Sequence, residues 1–168
     1  MSERAGKHHD PAGLKEISDS AAELVDRMRQ IVWTLNEEEG SVEDLGYYIT
    51  AYARDFLRRH GIELKAGIPP ADKRMLSSKQ RRNIFLVVKE ALNNVVKHSG
   101  ATDVLLSMEV PSGHLNIAIH DNGKGLVTES RPGHYGMQNM KVRMDDIGGT
   151  FSCTGDSGVR IELTIPVA

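Results

Sequence analysis

A two-layer α+β sandwich, with helices on one face of a mixed sheet and a long separate helix in front, is the fold this sequence predicts. An apolar stripe at helical spacing runs from Leu14 to Leu35. Beyond it, amphipathic helical stretches alternate with short period-two runs. Two glycine-rich segments, Asp121-Asn122-Gly123-Lys124-Gly125 and Gly133-His134-Tyr135-Gly136, sit where strands and helices hand over to one another.

Residues 1–13 are polar and read as a leader or loop, with His8 and His9 solvated; an adjacent histidine pair without other spaced ligands is not a metal site. Residues 14–36 form the first helix. Leu14, Ile17, Ala21, Leu24, Met28, Ile31 and Leu35 alternate in steps of three and four, the seam of a coiled coil, and Val25 and Val32 widen it. Such a helix is ~33 Å long, enough to pair with another chain, although packing on its own domain would use the same stripe. Asn36 and Gly40 end it.

Residues 37–168 form the main domain. Ser41 and Asp44 read as a capping box opening a second helix, with Leu45, Tyr48, Ile49, Tyr52, Phe56 and Leu57 as its buried stripe and Gly61 after its end. The tyrosines sit at core spacing and read as packing groups. A strand is expected at 62–68, a Pro-Pro turn next, and a helix at 77–98. Strands at 103–110 and 114–120 join through Pro111-Ser112-Gly113. After the 121–135 loop a helix covers about 136–147, stopped by Gly148-Gly149. Strands at 150–154 and 159–166 close the chain around Asp156-Ser157-Gly158.

Composition narrows the function. The 168 residues carry 21 basic and 23 acidic side chains, formal net charge −2, which gives no basic field for direct nucleic-acid binding. A single cysteine, Cys153, excludes internal disulfides and reads as a small apolar strand residue in a reducing compartment. No run reaches the ~18 apolar residues of a membrane span, so no membrane contact is expected of this chain. The expected location is cytoplasmic, including the cytoplasmic part of a membrane-anchored protein.

The chemistry concentrates on the 77–98 helix and the two glycine segments. Ile84, Val88, Ala91, Leu92 and Val95 share one side of that helix, while Glu90, Asn94 and Lys97 share an adjacent arc, with His98 between. An amide such as Asn94 supplies a neutral oxygen to a Mg²⁺ whose other ligands are phosphates and water. Lys97 and His98 can balance phosphate charge. A solvated polar edge explains the same arc equally well. Asp121 follows the alternating strand Leu115, Ile117, Ile119, and a carboxylate there accepts from the exocyclic amine of adenine but not from guanine's carbonyl. Gly123 and Gly125 let backbone approach a flat ring, though Asp-Asn-Gly is also ordinary turn chemistry. Gly133 and Gly136 open the next helix, whose free N–H groups suit phosphates; a flexible connector would use them too. No Gly-x-x-x-x-Gly-Lys-Ser/Thr pattern occurs, so this is not a P-loop.

The segments KEALNNVVKHS (89–99), DNGKG (121–125) and GHYGMQNM (133–140), in that order and spacing, resemble the Bergerat-type ATPase fold of gyrase, MutL, sensor histidine kinases and anti-sigma serine kinases. Within it, the chain looks most like the catalytic domain of sensor histidine kinases paired with helix-turn-helix response regulators. The resemblance covers about residues 14–168, including ELVDRMRQIVWTLN (23–36), similar to the second helix of that group's dimerisation bundle, and a short lid between Leu126 and Gly133. It implies ATP and Mg²⁺ as ligands, a homodimer through the bundle, and transfer of the γ-phosphate to a histidine for relay to a response-regulator aspartate. Asn94 would ligate magnesium and Glu90 would be the acid of the same motif. Lys97 and His98 would face the phosphates, Asp121 the adenine amine. Gly123 and Gly125 would line the base pocket, with Gly133, Gly136 and Met137 at the lid and phosphate end.

The sequence departs from that pattern twice. In SGVRIELTIP (157–166), Val159 stands where such proteins usually carry threonine, removing a hydroxyl that helps water bridge to adenine. The phosphoacceptor helix is also missing. His9-Asp10-Pro11-Ala12-Gly13 spells the family's His-Asp-x-x-Gly, but Pro11 would break a helix interior, and the gap before residue 14 is too short for another helical arm. This chain alone therefore lacks an acceptor histidine. Two rival readings are an anti-sigma-type serine kinase, which the long seam helix and Ile31-Val32-Trp33 disfavour, and a non-catalytic nucleotide-binding dimerisation module, which only Val159 favours.

Overall fold

The structure, a computed structural model, describes residues 40–126, 135–155 and 157–167, with scattered positions from Gly13 to Met28. The chain divides into two units, Met1–Glu37 and Glu38–Ala168. In the first, the described positions, among them Lys15, Ser18, Ala21, Leu24, Val25 and Met28, are all helical. Leu24, Val25 and Met28 are exposed. Asn36, the expected helix end, lies outside the described residues.

The second unit starts with β1 (Gly40–Ser41) and α1 (Val42–Arg59). The capping box is formed: Ser41 Oγ accepts from the Asp44 N–H, and the Asp44 carboxylate accepts from the Ser41 N–H. Next come β2 (Glu63–Ala66), β3 (Met75–Leu76) and α2 (Ser78–Asn94). A second capping box, Ser77 with Gln80, opens α2. A π turn (Val95–Ser99) extends α2, and β4 (Asp103–Glu109), a 3-10 turn (Pro111–Gly113) and β5 (His114–Asp121) follow. The unit ends with α3 (Tyr135–Asp145), β6 (Thr150–Thr154) and β7 (Arg160–Pro166).

The five-stranded sheet has the order β2-β4-β5-β7-β6, parallel between β2 and β4 and antiparallel elsewhere. Alternation places Val104, Leu106, Leu115, Ile117, Ile119, Ile161, Leu163 and Ile165 on one buried face. Their neighbours Leu105, Ser107, Arg160 and Glu162 are exposed on the other. The helices cover the buried face, with α1 against β2 and α2, and α3 against β6 and α2. The expected two-layer sandwich is therefore the architecture observed. Tyr48 and Tyr52 are packing groups, each 5.1 Å from the fully buried Phe85 ring.

Two local features differ from the sequence expectation. The 77–98 helix stays α-helical only to Asn94; the VVKHS segment widens into the π turn and ends at Gly100 in the left-handed region, φ 67°. Gly40, expected only as a helix stop, pairs in β1 with Leu76 of β3. This two-stranded antiparallel ribbon is too short to show a period-two pattern.

Phe85→Ala should destabilise the domain by about 3–5 kcal/mol, because a ring held between two tyrosines leaves a cavity that cannot collapse fully. Urea unfolding with unchanged slope would show it. A loss below about 1 kcal/mol would contradict the packing described.

Candidate nucleotide site

One end of the site is built on α2. Glu90 and Asn94, one helical turn apart, are both half-buried. Gly136, in the first turn of α3, packs against them: a Cβ at Gly136 would lie 2.8 Å from Glu90 Oε1 and 3.9 Å from Asn94 Nδ2. Any side chain at 136 would displace the Glu90 carboxylate from its present place. Among the described residues neither the Glu90 carboxylate nor the Asn94 amide has a hydrogen-bond partner. A polar pair at a helix junction, without protein partners, suits a hydrated cation or a phosphate.

The other end is built on the tip of β5. Asp121 is 2% exposed. Its backbone N–H donates to the Val159 carbonyl at 3.1 Å, and its Oδ1 accepts from the Gly123 N–H at 2.8 Å. Among the described residues its other carboxylate oxygen has no partner, leaving an acceptor for a ligand donor. Gly125 is buried behind this loop. Val159 is half-buried, one residue before β7.

Ser99 joins the two ends. It closes the π turn that continues α2, and its carbonyl accepts from the Lys124 N–H at 3.0 Å. Lys97 and His98 lie on that turn and are exposed. Met137 is half-buried beside Gly136, and Gly133 lies outside the described residues. The structure therefore gathers Glu90, Asn94 and Gly136 at one end and Asp121, Gly123 and Val159 at the other. It leaves Lys97 and His98 in solvent at the junction.

Three contributors were not singled out from the sequence. Ser99 is one. Gly158 is another: a Cβ there would lie 1.8 Å from the Asp121 carbonyl oxygen. The third is Asn122, the middle of the Asp-Asn-Gly signal. Its Oδ1 accepts from the N–H groups of Thr102 and Asp103, each at 3.0 Å, and its Nδ2 donates to Thr102 Oγ1 and Asp103 Oδ2. This amide ties the loop after β5 to the start of β4. The turn propensity of Asn-Gly was the available signal, but it points to a turn and not to this long-range clamp. Cys153 faces the same region; burial pushes its thiol pKa up, and the nearby Asp121 charge adds to that. It is a neutral packing group, as expected.

Asp103 anchors the clamp. Its hydrogen bond from Lys65, 2.7 Å, holds its pKa below the ordinary carboxylate value, with Thr102 and Asn122 contributing. A folded-state pKa below the unfolded one adds stability above the unfolded pKa, and that contribution disappears as pH falls through the folded value.

Residues 79–168, more than half of the chain, match the family described as "Histidine kinase-, DNA gyrase B-, and HSP90-like ATPase". All the residues discussed from Glu90 to Val159 fall within that span. The chain is 28% identical over 165 residues to the signal transduction histidine-protein kinase/phosphatase UhpB of Salmonella typhimurium, covering 94% of this chain and 32% of the relative. It is 27% identical over 158 residues to the sensor histidine kinase LiaS of Bacillus subtilis, covering 92% and 43%. It thus spans less than half the length of these relatives. Among solved structures, the ATP-binding domain of PrrB from Mycobacterium tuberculosis superposes with a TM-score of 0.61 at 26% identity, covering 78% of this chain and 97% of that one.

Thermal melts of the wild type and Asp103→Asn should diverge above pH 5 and converge as pH drops below the carboxylate range, because only the wild type has this group to lose. Parallel curves across the whole range would show that the Lys65–Asp103–Asn122 link contributes nothing.

Proposed function

Because this chain belongs to the histidine kinase-, DNA gyrase B- and HSP90-like ATPase family, we propose that it is the Mg-ATP-binding catalytic portion of a two-component sensor histidine kinase. The observation that carries this is the continuity of the site. The helix bearing Asn94 runs through one π turn directly onto the loop that orients Asp121. A ligand with an amine-bearing base at one end and a charged, metal-chelated tail at the other fits that arrangement.

The residues divide the work. Asp121, held by the Gly123 N–H, offers its other oxygen to the adenine exocyclic amine and rejects guanine, which presents an acceptor there. Gly123 and Gly125 keep the base pocket open to a flat ring. Asn94 and Glu90 face the triphosphate end, where Asn94 would hold the metal; bound Mg²⁺ would neutralise charge on the transferring phosphoryl group. Gly136 and the start of α3 close against that end, with Met137 beside it; Gly133 would belong to the same lid by the sequence resemblance. Lys97 and His98, being exposed, would act on the phosphates through longer-range charge. Catalysis of this type is mostly positioning and charge stabilisation.

The attacking histidine would come from a bundle helix outside this chain, and the phosphate would pass to a response-regulator aspartate. The helix-turn-helix class of regulator is the finer expectation from the sequence resemblance. The helical first unit, with Leu24, Val25 and Met28 exposed, supports a homodimer through a helical bundle in the whole kinase. Among the described residues no helix is long and apolar enough to cross a membrane.

Isothermal titration with Mg-ATP should show Asn94→Ala and Asp121→Ala each weakening binding about tenfold or more, the scale of hydrogen bonds to charged groups. Equal affinity in wild type and both variants refutes the site. Val159→Thr should tighten binding a few-fold, since restoring a hydroxyl near the base adds about 0.5–1.5 kcal/mol if a water bridges there. No gain would show that the valine does not limit affinity.

A further inference from the structure

We propose that Ser99 is a positioning residue for the purine-reading carboxylate, and that the π turn it closes sets the span between Asp121 and Asn94. This rests on the Mg-ATP reading above and goes beyond it by assigning base selectivity to a residue that does not itself touch nucleotide.

The inference starts from burial. Ser99 is 5% exposed, so its hydroxyl must find protein partners. It donates to the Val95 carbonyl at 2.7 Å and accepts from the Ala101 N–H at 2.9 Å. The Val95 carbonyl is the acceptor that the Ser99 N–H would take in an α turn. The hydroxyl therefore holds the C-cap carbonyl of α2 from the far side of the turn, fixing how residue 99 leaves α2. One hydroxyl thereby ties the turn to the first residue beyond Gly100.

The backbone of Ser99 carries the effect onward. Its carbonyl accepts from the Lys124 N–H at 3.0 Å. Gly123 lies against it so closely that a Cβ would sit 2.5 Å from the Ser99 carbonyl oxygen and 2.7 Å from the Ser99 Cβ. The Gly123 N–H is the donor that fixes Asp121 Oδ1, at 2.8 Å. The sequence of contacts is therefore Asn94, π turn, Ser99, Gly123, Asp121. If the turn tightened to α, the Ser99 carbonyl would rotate and the loop on it would move. The carboxylate would then no longer present its second oxygen to a base whose phosphates stay anchored near Asn94.

A role of this kind differs from general stabilisation in what it perturbs. It should affect binding chiefly through the base, because Glu90 and Asn94 lie before the turn and the exposed Lys97 and His98 on it would reach the phosphates only at longer range. The test compares Mg-ATP and magnesium tripolyphosphate binding to wild type, Ser99→Ala, Asp121→Ala and the double variant. Ser99→Ala should lose about three- to tenfold in Mg-ATP affinity, the scale of one buried hydrogen bond. Its tripolyphosphate affinity should stay within about twofold of wild type, and it should add no further loss in the Asp121→Ala background, as expected of coupled sites. Ser99→Cys, which keeps a weak donor of similar shape, should fall between and serves if the alanine variant does not fold. Wild-type ATP affinity in the Ser99 variants, an equal loss for tripolyphosphate, or losses that simply add would each overturn the proposal. Failure of the underlying reading looks different: wild type would not bind Mg-ATP, or Asp121→Ala would bind it as wild type does.

Discussion

A carboxylate nearly closed off from solvent organises this domain. Burying an ionised group is costly unless its oxygens find donors, and Asp121 has been given one from Gly123 while its own N–H goes to Val159. Those bonds constrain the loop after β5 and the turn before β7 together. Asn122, the next residue, spends its whole amide on Thr102 and Asp103. The tip of β5 is thus fixed from several sides without its second oxygen being used. A carboxylate with one oxygen held and, among the described residues, the other unpartnered suits the ligand-reading role proposed for Asp121.

The contrast with a P-loop clarifies why the site is spread out. A P-loop concentrates backbone N–H groups on the phosphates within one strand-to-helix turn. Here the base end rests on a strand tip and the phosphate end on a helix edge. The distance between them depends on how α2 meets β4 and β5. The sheet supplies rigidity through its paired β4, β5 and β7, whereas α3 closes from the other side through the glycine at its start. Positioning is divided between the paired strands and a helix that is anchored through the buried Met140 and Met144 and meets α2 through Gly136 at its start.

Much of this was legible in the chain. The alternation of Leu115, Ile117 and Ile119 places Asp121 at a strand end, and the stripe Ile84, Val88, Ala91, Leu92 places Glu90 and Asn94 on the helix border. Ser41 and Asp44 announce the start of α1. These signals are local, and each rests on a periodicity or a cap that neighbouring residues determine. What the sequence did not disclose depends on contacts between distant segments. The ribbon of Gly40–Ser41 with Met75–Leu76 is too short for a pattern. Val95-Val96-Lys97-His98-Ser99 reads as ordinary helix, because the hydroxyl and loop contacts that favour a π turn are formed only after folding. The Asn122 clamp is likewise invisible, since Asn-Gly advertises a turn whether or not the amide reaches across to β4.

The π turn also changes how the exposed Lys97 and His98 should be understood. On a continuous α-helix, Lys97 would share the arc of Glu90 and Asn94, directly over any phosphate bound there. The π turn after Asn94 changes the angular step per residue, and both Lys97 and His98 are exposed on it. The Lys97 charge would act on the phosphate end through a medium of high dielectric, where an interaction weakens quickly with salt. On the proposed reading, grip at the phosphate end would come chiefly from the amide of Asn94 and the metal it would hold, with Lys97 adding attraction at longer range.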